Sequence, residues 1–228
     1  MNAIRKYHNL ARLGSLSLLS RLVVLLTLSA TVFAQKPVVP IDINLDPATT
    51  SIHWTLNTTV HTVHGTFKLK SGSFRIDPAT GNADGQIVID ANSGESGDSA
   101  RDHRMNSVVL NTPQYPTITF KPAHVVGKVD LAAAGPVTVD GVLNLHGQDH
   151  PMQITVNLHP QAAAVALATH FMVPFVAWGL KDPSTFIFRV DKQVALDIDA
   201  TIVPDASSRA VSSVARPILR SSEIKSAR

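Results

Sequence analysis

Residues 139–159 read VDGVLNLHGQDHPMQITVNLH. Val139, Leu143 and Leu145 alternate with Asp140, Asn144 and His146. Beyond the turn-rich HGQDHP, Met152, Ile154, Val156 and Leu158 alternate with Gln153, Thr155, Asn157 and His159. Period two sends successive side chains to opposite faces of a strand, so each arm has one apolar and one wet face. The stretch predicts a hairpin of two half-buried antiparallel strands.

The same spacing recurs on both sides. Ile52, Trp54 and Leu56 alternate with His53, Thr55 and Asn57, and Val63, Phe67 and Leu69 with His64, Thr66, Lys68 and Lys70. Phe74 and Ile76 stand against Ser73, Arg75 and Asp77 ahead of ATGNADG at 79–85, a second hairpin turn. Phe186, Phe188 and Val190 oppose Arg189 and Asp191, and Val194, Leu196 and Ile198 oppose Gln193, Asp197 and Asp199; these predict the closing strands, with a corner at Asp191 and Lys192. With no long helical pattern to cover a second face, the chain reads as all-β: an antiparallel barrel of about eight strands, with a sandwich as the alternative. The interior of such a barrel is just wide enough to be filled by side chains or to hold one slender ligand.

One charged, unalternating segment interrupts the strands, RDHRMNSVVLNTPQYPTITF at 101–120. Ser96 or Asp98 is placed to cap a short helix beginning near Ser99, Pro113 to stop it, and Pro116 to lead into a strand carrying Ile118 and Phe120. Such a helix plugs or flanks one end of a barrel.

Residues 1–34 combine a basic, acid-free start with the apolar run LVVLLTLSATVFA, the pattern of a secretory signal peptide with cleavage after Ala34. Without Arg5, Lys6, Arg12 and Arg21, 16 basic residues face 17 acidic ones, so the formal charge of +3 becomes slightly negative. The serine-rich, basic stretch 205–228 lacks sheet periodicity and predicts a disordered tail able to touch anionic lipid headgroups. Between them, 35–204 predicts one domain whose acidic balance argues against nucleic-acid binding.

No cysteine is present, which excludes disulfides and thiol catalysis, and no G-x-S-x-G elbow marks a hydrolase. Among ten histidines the nearest pairs are His61 with His64 and His146 with His150. Residues three apart on a strand face opposite ways, and the second pair straddles a turn, so neither spacing suits a metal. No catalytic residue, cofactor or metal is therefore expected. The apolar faces offer Trp54, Leu56, Phe67, Phe74, Ile118, Phe120, Leu143, Leu145, Ile154, Val156, Phe171, Phe175, Phe186 and Phe188 to line an interior. His61 falls in register with Val63 and Phe67 as a polar group at its end. Arg101 and Arg104, three apart on the helix, are spaced to face one anion, or to pair with Asp98 and Asp102.

Several separated motifs resemble the YceI-like lipid-binding proteins: LDPATTSIHWTL at 45–56, VHGTF at 63–67, RIDPATGNADGQIVIDANSGESG at 75–97, the 101–120 segment, VDGVLNLHGQDHPMQITV at 139–156 and VAWGLKDPS at 176–184. The resemblance runs from about Ile41 to Val203. It implies a lipocalin-like barrel, periplasmic or secreted, that holds a long isoprenoid such as a polyprenyl phosphate or quinone tail along its bore without catalysis. The chain departs from the family pattern at the end of the first strand, where Asn57 and Thr58 stand in place of a histidine and His61 and His64 come later. The rival reading is a structural or adhesive sandwich with a filled core; whether two barrels pair through an exposed edge is left open.

Overall fold

The structure is a computed structural model and describes residues 39–127 and 129–204. The expectations for 1–34 and 205–228 lie outside the described residues. Nine strands form one antiparallel sheet: β1 (Ile41–Leu45), β2 (Thr50–Asn57), β3 (Thr62–Ile76), β4 (Ala83–Glu95), β5 (Thr117–Val126), β6 (Gly135–Leu145), β7 (Gln148–Pro160), β8 (Val165–Val173) and β9 (Val194–Ile202). From β2 onward each strand pairs with the next, and β2 pairs in turn with β9 from Thr50↔Ala200 to Thr55↔Ala195, so the meander closes. β1 and β2 lie on the same edge of β3, β2 against Thr62–Phe67 and β1 against Gly72–Ile76. They make one broken stave, bent at Asp46–Thr49, where the Asp46 carboxylate accepts from the Ala48 amide at 2.8 Å. The result is a closed barrel of eight staves, and the sandwich reading is set aside.

β3 explains why its two apolar runs change parity. Val63, Phe67 and Leu69 face inward, then Gly72, Phe74 and Ile76. The switch falls where the pairing with β4 slips, between Leu69↔Ile89 and Ser71↔Val88, leaving Lys70 as an extra residue and turning Lys70 and Ser71 both outward. A bulge of this kind bends the strand, as closure of a small barrel requires. β5 repeats the device between Pro122 and His124, so Phe120, Pro122 and then Val125 are buried.

The hairpin at 139–159 is tighter than its turn composition suggests. β6 and β7 pair down to Leu145↔Gln148, leaving His146 (φ 54°) and Gly147 (φ 74°) as a two-residue turn. Positive φ at both positions matches the twist of the flanking strands.

The 101–120 segment is helical where expected. α1 (Ser99–Arg104) is capped by Asp98, whose carboxylate accepts from the Arg101 amide at 2.9 Å, and a π-helical turn continues it over Met105–Val109. It ends before Pro113, because Asn111 adopts a left-handed conformation (φ 46°) that short polar side chains tolerate. Two strand expectations are corrected. Residues 186–191 form no strand: Thr185 N–H donates to the Phe188 carbonyl at 2.7 Å, closing a turn, and only Val190 bridges to Thr58. The stave before β9 is instead β8, whose alternation of Val165, Leu167, Phe171 and Val173 is diluted by alanines.

Candidate functional site

The barrel is not filled. Its loops divide between two ends: 58–61, 96–116, 146–147 and 174–193 lie at one, and 77–82, 129–134 and 161–164 at the other. At the second end Ile41, Ile43, Ile76, Val125, Leu131, Leu158, Val165 and Ile202 pack into a closed apolar cluster. Toward the first end a cavity of about 490 Å³ opens. A narrower one of about 150 Å³ continues toward the closed cluster, and the two share Ile52, Ile89, Leu143, Phe171 and Ile198 as walls. The larger volume falls in the range of small-molecule sites, ~300–1,000 Å³.

The strand alternation delivers the lining. Trp54, Leu56, Phe67, Ile118, Leu143, Leu145, Phe171, Phe175 and Phe188 line the larger cavity, and Phe74, Phe120, Ile154 and Val156 the narrower one. Phe186 does not: it is 93% exposed at the tip of the 185–188 turn, because the alternation that seemed to point it inward belongs to a turn. Sequence periodicity missed Met105, Val109, Leu110 and Leu180, which line the cavity from helical or loop segments where period two carries no information.

Ionisable groups border the cavity at one end only. Thr58, His61, Arg101, Arg104 and Thr185 border the larger cavity, whereas the narrower one has only Thr50 and Thr169 among apolar side chains. The two arginines differ. Arg101 donates from Nε to the Ser96 hydroxyl at 2.7 Å and from Nη2 to the Ser96 carbonyl at 2.9 Å, and that hydroxyl donates to the Asp102 carboxylate. Asp98 is held below the usual carboxylate range, chiefly by the Arg101 amide it caps. Arg104 is exposed and has no hydrogen-bond or ion-pair partner among the described residues. Asp98 and Asp102 thus engage the Arg101 backbone and Ser96 rather than forming the ion pairs their spacing suggests. A further polar group is the Trp54 indole N–H, buried in the wall without a partner; a bound acceptor would satisfy it.

The histidine pairs are turned apart. His61 borders the cavity while His64 Nδ1 lies 3.1 Å from the Thr55 hydroxyl on the outer face. His146 packs on Tyr115, with ring centroids 4.3 Å apart, and His150 stacks on Trp178 at 4.1 Å and 6°. The second stack fastens the 174–180 loop, which carries Phe175 and Leu180, over the barrel end. Among the described residues no three His, Asp or Glu side chains come together in a metal-binding group.

A family model for the YceI-like domain matches residues 44–202. Among solved structures, a polyisoprenoid binding domain from Saccharophagus degradans implicated in plant cell wall breakdown is similar, with 18% identity and a TM-score of 0.53 over 72% of this chain and 98% of that one. Burkholderia cenocepacia BcnA is similar at 17% identity and a TM-score of 0.56, over 69% of this chain and 98% of that one. At these identities the likeness is one of fold. No curated protein matches by sequence.

Proposed function

This chain belongs to the YceI-like domain family, and on that premise we propose that it binds a long-chain isoprenoid lipid, a polyprenyl phosphate or isoprenoid quinone, with the tail in the barrel and the headgroup at the Arg104 end. The observation that carries this reading is the polarity of the cavity: below Trp54 its walls are apolar but for Thr50 and Thr169, and the ionisable side chains, His61, Arg101 and Arg104, border it at one end. An amphipathic chain is the ligand class that matches both parts. Each buried carbon contributes ~0.8 kcal/mol, so a few isoprene units suffice for tight retention without covalent chemistry.

The proposed setting is the periplasm or the extracellular medium, which the signal-like residues 1–34 support. The basic stretch 205–228 would touch anionic headgroups there. The test is mass spectrometry of an organic extract, with a metal assay alongside, from full-length protein expressed and purified from a bacterial envelope. A stoichiometric prenyl lipid is expected; a protein that stays empty when offered quinones and prenyl phosphates overturns the reading.

A further inference from the structure

We propose that the Thr185–Phe188 turn and the neighbouring Val60 form a wedge that seats the cavity mouth on an anionic lipid bilayer. The inference rests on the lipid-cavity reading above.

Phe186 and Ile187 occupy the two central positions of the turn and are 93% and 88% exposed. Such positions ordinarily hold Gly, Asn, Asp or Ser. Here two large apolar side chains are displayed where they bury nothing within the chain. The turn is closed twice: the Thr185 amide donates to the Phe188 carbonyl at 2.7 Å, and the Phe188 amide to the Thr185 hydroxyl at 3.0 Å. The turn is tied to the 58–61 turn, since the Thr59 amide donates to the Arg189 carbonyl at 3.0 Å, and that second turn carries Val60, 73% exposed.

Position and charge identify the occupant. Thr185 and Phe188 themselves border the larger cavity, as do Thr58 and His61 of the second turn, so the apolar tips stand at its rim. Lys181, Arg104 and Arg189 are exposed nearby, and their side chains have no hydrogen-bond or ion-pair partner among the described residues. Asp182 is neutralised by Lys192 at 2.9 Å, and the acids at this end without an ion pair are Asp191 in this loop and Asp98 and Asp102 beside Arg104. Three side chains on two convex tips are far short of the ~800 Å² per partner that a specific protein interface needs. They suit shallow insertion at a headgroup boundary flanked by cations. A rim seated in this way would let a tail pass between bilayer and bore without crossing water.

The chain has no cysteine, so Ile187→Cys in the full chain accepts one environment-sensitive dye, with Ala133→Cys at the opposite barrel end as the control. Vesicles of phosphatidylethanolamine and phosphatidylglycerol, free of isoprenoid, are added. Blue-shifted emission at 187, quenched by shallow nitroxide lipids, is expected, with no change at 133. Adding Phe186→Ser should raise the lipid concentration needed for half the shift at least tenfold. A dye at 187 that stays in water while the protein sediments with vesicles overturns the proposal. So does a shift that needs only concentrated protein, which would assign the turn to a second copy. Neither result bears on whether an extract of the protein contains prenyl lipid.

Discussion

Trp54 and Gly65 face each other across β2 and β3, and the indole lies over the glycine so closely that a Cβ on residue 65 would stand 2.2 Å from the ring. The Glu95 carbonyl crowds the same point at 2.3 Å, so backbone as well as side chain would have to yield. The glycine is therefore what allows a tryptophan to lie flat in the cavity wall.

Gly65→Ala should destabilise the barrel by ~1–3 kcal/mol, the range for overpacking a fitted interior, and push Trp54 into the cavity. Urea unfolding reads the first effect and tryptophan emission the second. Unchanged stability would mean that the ring is free to leave the wall at no cost.

The void itself makes the second prediction. Leu143 borders both cavities, and Val156 lines the narrower one. Replacing both, Leu143→Trp with Val156→Trp, should abolish lipid retention while altering stability by no more than ~1–3 kcal/mol, because the added volume enters empty space. Retention that survives would remove these two residues from the binding site.

Most of this wall was legible in the sequence because period two is a direct consequence of strand geometry, and it places Leu143, Leu145, Ile154 and Val156 on one face without knowledge of the fold. The parity change between Leu69 and Phe74 was legible as well, yet only the slipped pairing with β4 joins the two runs into one strand. Phe186 misled for the opposite reason: alternating Phe186, Phe188 and Val190 reads as a strand, whereas the Thr185 to Phe188 hydrogen bond makes it a turn. Met105, Val109 and Leu180 reach the cavity through tertiary packing, which no local spacing reports. The unequal state of Arg101 and Arg104 depends on Ser96, five residues back, and on no feature of the arginine spacing.

That inequality separates the two headgroup classes. Arg104→Gln removes a cation without a partner, so stability should change by no more than ~0.5 kcal/mol, as at ordinary surface sites. Retention of a prenyl phosphate should fall by roughly tenfold, the order expected for one charge-assisted contact, while a quinone with the same tail should be held as before. Competition between the two lipids for purified protein measures this. Equal loss of both would make Arg104 a packing residue.

The loop bordering the mouth carries a pH dependence with a defined sign. Asp182 accepts hydrogen bonds from Ser184, its largest influence, and from the Lys192 ammonium, and these hold its carboxyl well below the usual range. A depressed folded-state value means that the contribution is fully present above the unfolded carboxylate value of ~3.9 and is lost as pH falls through the lower folded one. The loop should therefore be as well fastened at pH 5 as at pH 7 and loosen only in stronger acid. Asp182→Asn should reproduce the loosened loop at neutral pH, with several-fold faster hydrogen exchange at the Val190 amide, which Ser184 otherwise accepts at 3.0 Å. The size of the effect is limited by the exposure of the Lys192 pair, which water and salt screen. Added salt should narrow the difference between the two proteins but not remove it, since the Ser184 bonds are local. If the variant exchanges like the wild type at pH 7, the carboxylate does not fasten this loop.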